Sequence, residues 1–129
     1  MPSVESQGPE GPKTPETSLA ASAVILIQLQ RDFADESVPL AVATRQLLER
    51  YSHAKHVRLL LDFQGLRLLS SEAIGNLIIL NRNLRNRRGV VKLCSLEPEL
   101  WNLFLNARLN RVFEIYDTQA NALHSFTRK

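Results

Sequence analysis

The chain predicts an α/β fold: a mostly parallel sheet of four to five strands joined by crossover helices. Three observations predict it. Short apolar runs alternate with segments whose apolar residues recur every three or four positions, in the order β-α-β-α-β-α-β-α. The run Val57–Phe63, VRLLLDF, is almost continuously apolar, as in a strand covered on both faces. Helix punctuation also falls between the runs, with Pro39, Ser70–Ser71, Pro98 and Thr118 at starts and Gly89 at an end.

The elements follow in order. Ala23–Gln30, AVILIQLQ, opens apolar and becomes alternating, so it reads as a strand buried near its start. Arg31–Val38 is polar, and Asp35 or Ser37 offers a cap. Pro39 suits a first helical position, and Leu40, Val42, Ala43, Leu47 and Leu48 then form one core stripe to about Tyr51. Ser52–His56 is a polar connector to the Val57–Phe63 strand. Gln64–Gly65 breaks that strand, with Gly65 supplying a turn conformation other residues resist. Leu66–Leu69 leads to Ser70 and Ser71, where a long helix opens. Its stripe is Ala73, Ile74, Leu77, Ile78, Leu80 and Leu84, and Gly89 closes it. Gly75 is expected to let this helix pack closely on the sheet. Val90–Cys94 is the next strand. A helix from Glu97–Pro98 is expected to turn Leu100, Trp101, Phe104 and Leu105 inward, and Phe113 joins Trp101 and Phe104 as expected core. Val112–Tyr116 reads as a short strand, and Thr118 caps a last helix to about Phe126.

Composition bounds the rest. At 129 residues and 44% hydrophobic, the chain holds one domain with a real core. Residues 1–19 stand apart as an expected disordered tail before a domain over residues 20–129. Four prolines, two glycines and almost no large apolar side chain cannot offset the entropy of ordering. The start has no secretory pattern, and no stretch reaches the roughly 20 apolar residues of a membrane span. A soluble, cytoplasmic protein is expected. Of the net charge of +3, the tail holds −2 through Glu5, Glu10, Glu16 and Lys13, which leaves +5 for the domain. Arg82, Arg85, Arg87 and Arg88 concentrate much of it, as a solvated helix end or as a face for an acidic partner. No nucleic-acid motif or stacking set accompanies them. The lone Cys94 excludes an internal disulfide and reads as a small buried residue. His53, His56 and His124 are scattered, and no metal-ligand spacing occurs. Neither a metal nor a cofactor is expected.

The chemistry concentrates at Leu59–Gly75, LLLDFQGLRLLSSEAIG. A serine at the positive end of a helix is well placed to carry a phosphate. As plain structure, either serine is also a good N-cap, and Glu72 complements the first turn. Asp62 at the strand end reads first as an acceptor for backbone N–H groups of the following turn. Asn76 lies off the core stripe, on a solvated face or against a partner.

The segment LLLDFQGLRLLSSEAIGNLIIL resembles the signature of STAS domains, the module of anti-sigma factor antagonists and of sulfate transporter tails. The resemblance continues through GVVKLCSLEPELWNLFLNARLNRVFEIYDTQANAL and covers about Ala23–Phe126. Aligned on Gly75, it carries the family's phosphorylatable serine onto Ser71, with Ser70 as the alternative if the register shifts by one. It matches Asp62 to the strand-end aspartate. Three departures stand out: Ser70 occupies the place of an acidic residue, Glu72 that of the second serine, and Ala73-Ile74-Gly75 replaces Gly-Leu-Gly. The resemblance implies a regulatory binding module rather than an enzyme. Its partner would be a serine kinase that is also an anti-sigma factor, met by a surface of Asp62, Gln64, Ser70, Ser71, Glu72 and Asn76. The alternatives are an unphosphorylated STAS scaffold in a larger signalling assembly and an anion- or nucleotide-binding module. No general base or nucleophile elbow is evident near the serines. Both a monomer and a dimer remain open.

Overall fold

A computed structural model describes residues 23–32 and 39–127. The expected disordered tail and the candidate caps Asp35 and Ser37 lie outside the described residues. Four strands, β1 (Ile25–Gln28), β2 (Arg58–Asp62), β3 (Val90–Cys94) and β4 (Glu114–Tyr116), form one sheet in the order β1-β2-β3-β4. Every pairing is parallel, with Leu61 beside Ile27 on one flank and Leu93 on the other. The helices are α1 (Leu29–Asp32), a single turn, then α2 (Leu40–Tyr51), α3 (Ser71–Asn86), α4 (Pro98–Asn106) and α5 (Gln119–Thr127). A 3₁₀ turn, Leu109–Arg111, leads into β4.

Each new strand joins the same edge of the sheet. Crossovers of one hand therefore place α2, α3 and α4 on one face. That face carries the main core. Leu59, Leu61, Val91 and Leu93 of the sheet meet Leu47, Leu77, Leu80, Leu84, Leu100 and Phe104 of the helices. Removing one such side chain from water is worth about 1.5–3 kcal/mol. Phe104 sets its ring edgewise on Phe63 and near Phe113, at centroid distances of 6.4 and 6.1 Å.

The opposite face is half polar, because residues one position along each strand point the other way. Leu60 and Cys94 meet Ala122 and Phe126 of α5 there. Polar contacts fasten α5 as well. Lys92, only 8% exposed, donates to Ser125 Oγ at 2.8 Å and lies over the Phe126 ring. Arg58 donates to the Phe126 carbonyl. Cys94 is fully buried, and burial pushes its thiol up to about 11.

The structure corrects three expectations of packing. Trp101 and Leu105 do not face inward; they are 39% and 41% exposed, because the α4 stripe is narrower and rests on Leu100 and Phe104. Gly75 makes no close contact: a Cβ there would find nothing within 4 Å. The close approach belongs to Gly89, whose added Cβ would sit 2.5 Å from the Val57 carbonyl oxygen. The left-handed residue that closes α3 is Arg88, at φ 64°, rather than the glycine after it. The first strand is also shorter than the AVILIQLQ run, since Leu29 and Gln30 turn into α1.

Candidate functional site

Parallel strands all end on one rim of the sheet, and in open α/β sheets that rim is where ligands and partners bind. Here it gathers Asp62 at the end of β2, the Phe63–Ser70 loop and the start of α3. The loop is pinned at several points. Leu66 N–H donates to the Phe63 carbonyl at 3.0 Å, and the side chains of Leu66 and Leu69 pack against the core. Gly65 takes φ 88°, and its N–H donates to Glu97 Oε2 at 2.9 Å. Between these anchors Arg67 and Leu68 point outward, and Leu68 is 83% exposed.

Helix α3 begins with a division of labour between the two serines. Ser70 is the N-cap: its backbone is extended and its Oγ accepts from the Ala73 N–H at 3.1 Å. That satisfies one of the orphan donors of the first turn. Ser71 is the first helical residue, exposed, with its hydroxyl absent from the capping bonds. Glu72 follows, exposed and paired with Arg45 of α2 at 2.9 Å. The N-terminal partial positive charge of a 16-residue helix therefore lies under the Ser71 hydroxyl.

The other candidate residues take different places. Gln64 is exposed at the start of the loop. Asp62 is 2% exposed. Its Oδ1 accepts from the Gln64 N–H at 2.9 Å and its Oδ2 from Gln119 Nε2 at 2.8 Å. It thus braces the turn and α5. Asn76 is half-buried. Its Nδ2 donates to the Ala41 carbonyl and to Thr44 Oγ1, both at 3.1 Å, and so ties α3 to α2. The surface that remains is Gln64, Leu68, Ser70, Ser71 and Glu72. Leu68 is the member that sequence reasoning missed. It sits inside an apolar run, and only the turn beginning at Gln64 reveals that it points away from the core.

Beside this surface lies an open cleft of 540 Å³ whose lining includes Asp62, Glu97 and Asp117 but no lysine or arginine. Three carboxylates and no cation make it a poor place for a phosphate or a nucleotide.

The STAS domain model matches residues 22–122. The chain belongs to the STAS domain family. No curated relative matches it. Solved structures share its fold, among them the following two. One is a crystal structure from Thermotoga maritima described as a candidate anti-sigma factor antagonist. It has a TM-score of 0.61 at 15% identity, over 81% of this chain and 80% of that one. The other is an anti-sigma factor antagonist (STAS) domain protein of Planctomyces limnophilus. Its TM-score is 0.60 at 22% identity, over 66% of this chain and 74% of that one. At these identities the likeness speaks for the fold, and the STAS match agrees with the four-stranded parallel sheet. Among the described residues, no helix is long and apolar enough to cross a membrane.

Proposed function

We propose that this STAS domain is a partner-switching regulator of the anti-sigma factor antagonist kind, controlled by phosphorylation of Ser71. The observation that carries this reading is the free, exposed hydroxyl of Ser71 at the first position of α3, beside the exposed Leu68. The partner is a serine kinase that also acts as an anti-sigma factor, and the domain itself catalyses nothing. Unphosphorylated, the rim docks on the kinase, with Leu68 as its apolar anchor and Gln64 and Ser71 around it. Ser70 is the weaker acceptor, because its oxygen already holds the Ala73 N–H.

Phosphorylation adds a charge of about −1.5 to −2. At a helix N-terminus that charge favours the fold by about 0.3–1 kcal/mol. The domain therefore stays folded and its complex is what breaks. Glu72 is already paired with Arg45, so an added dianion stands unneutralised on the docking surface, and meeting an acidic group of the partner there costs several kcal/mol. The switch acts on a surface that exists beforehand and needs no rearrangement of the core.

Ser70 in place of an acidic residue favours a second reading, a scaffold domain that is never phosphorylated. Incubation with the cognate kinase and ATP, followed by intact-mass and peptide analysis, decides between them. One phosphate on Ser71 supports the switch. An unmodified protein under conditions where the kinase is active leaves the scaffold.

A further inference from the structure

The far end of α3 holds a feature the switch does not use. The turn after α2 and the turn after α3 enclose an open cavity of 620 Å³. Its walls carry His53, Lys55, His56, Arg87 and Arg88, and no carboxylate lines it. The walls are tied together: His56 N–H donates to the Arg87 carbonyl at 2.9 Å, and Asn83 Nδ2 to Ser52 Oγ at 3.0 Å.

Cations near a helix C-terminus ordinarily serve its free carbonyls. Here backbone groups do that work. The Leu84 carbonyl accepts from the N–H groups of Arg87 and Gly89, and the Arg85 carbonyl from that of Arg88. Among the described residues, Lys55, Arg87 and Arg88 enter no ion pair. Three unneutralised cations around one concavity repel one another, and a cleft whose charges are of a single sign concentrates the opposite charge. The volume lies in the range of small-molecule sites, about 300–1,000 Å³. No phenylalanine, tyrosine or tryptophan lines it, so its walls are polar and cationic throughout.

We propose that this cavity binds a compact polyphosphate anion through Lys55, Arg87 and Arg88, at the opposite end of α3 from Ser71. Arginine forks suit phosphate oxygens in bidentate fashion, and a chain of phosphates reaches both walls at once.

Calorimetric titration of the full chain with inorganic tripolyphosphate tests this, in the absence of kinase and partner, so that its outcome is independent of the Ser71 switch. Saturable one-to-one binding is expected, at least about tenfold tighter than sulfate. Lys55→Ala and Arg88→Asn should each weaken it about tenfold, the scale of one lost hydrogen bond to a charged group. Asparagine tolerates the left-handed backbone of Arg88, so the second variant keeps the turn while removing the charge. Arg82→Gln, on the same helix but outside the cavity, should change binding less than twofold. Amide shifts on titration should gather in residues 52–56 and 83–89. Absence of saturable binding overturns the proposal. So does an equal loss in Arg82→Gln, which would mean diffuse attraction, and so does binding of an oligonucleotide but not of tripolyphosphate.

Discussion

The two ends of helix α3 solve the same problem in opposite ways. At the N-terminus a side chain does the capping: Ser70 Oγ takes the Ala73 N–H, and the next hydroxyl, Ser71, is left in solvent. At the C-terminus the backbone caps itself, through the N–H groups of Arg87, Arg88 and Gly89, and the cationic side chains are left over. Each end thus separates the group that completes the helix from a neighbouring side chain that is free to act. The helix between them is a rigid spacer of about 24 Å, packed along its length on α2 and the sheet. A negative charge added at the first end favours the helix, and one bound at the second neutralises its cations. Neither event asks the core to move.

The largest effect expected from this contrast is on association. Ser71→Asp should weaken the complex with the anti-sigma kinase by about 100-fold or more, since like charges at an interface cost several kcal/mol. Its melting temperature should equal the wild type's or exceed it by up to a few degrees, because a carboxylate at the first helical position is favourable. Ser71→Ala should bind within about threefold of wild type and lose phosphorylation. Affinity measured beside thermal unfolding checks all three. If Ser71→Asp bound as the wild type does, the N-terminal end would be structural only. Leu68→Ser sharpens the point: an 83% exposed side chain contributes little to folding, so binding should fall while stability holds.

Two glycines near these ends make the next test, on stability. Gly89→Ala brings a Cβ to 2.5 Å from the Val57 carbonyl oxygen and 3.0 Å from its nitrogen, both backbone atoms that cannot swing aside. A loss on the order of 2 kcal/mol is expected, as for other overpacked sites. Gly75→Ala meets nothing within 4 Å. It sits inside the helix, where alanine is favoured over glycine by about 0.8–1.0 kcal/mol, so it should stabilise. Chemical denaturation of the two variants gives opposite signs if the close approach lies where the structure puts it.

These glycines also mark how far the sequence could be read. The order of strands and helices was legible because each element repeats its own period, and the VRLLLDF run carried its double-sided burial openly. Caps were legible too, since Ser70 and Thr118 act through bonds three residues away. What could not be read was distance across the fold. Whether Gly89 is close to anything depends on the backbone of Val57, 32 positions earlier and just before β2, and no local pattern encodes that. Asn76 is the same case: its spacing says it leaves the core stripe, but only the placement of α2 turns that exposure into bonds with Ala41 and Thr44. Trp101 failed for a different reason. An apolar ring at helical spacing looks like core, yet a nine-residue helix lying on one face of the sheet has room for few inward positions. The basic cavity was half visible as an arginine cluster. Lys55 and the two histidines joined it only when the connector after α2 folded against the end of α3.

The smallest effect discriminates the two serines most directly. Ser70→Ala removes the side-chain acceptor for the Ala73 N–H and should cost about 1 kcal/mol, the usual worth of an N-cap hydroxyl. Ser71→Ala removes a hydroxyl that makes no capping bond, and alanine is the better helix former, so stability should stay within about 0.5 kcal/mol. For a domain near this size, 1 kcal/mol corresponds to a shift in melting temperature of about 4–8 °C, large enough to separate the variants in one scan. The reverse order would mean that Ser71 is the cap and that the register of the phosphoacceptor shifts to Ser70. The helix start then decides the chemistry: the serine that holds the first turn is the one a kinase finds occupied, and the serine that stability does not need is the one left free to be modified.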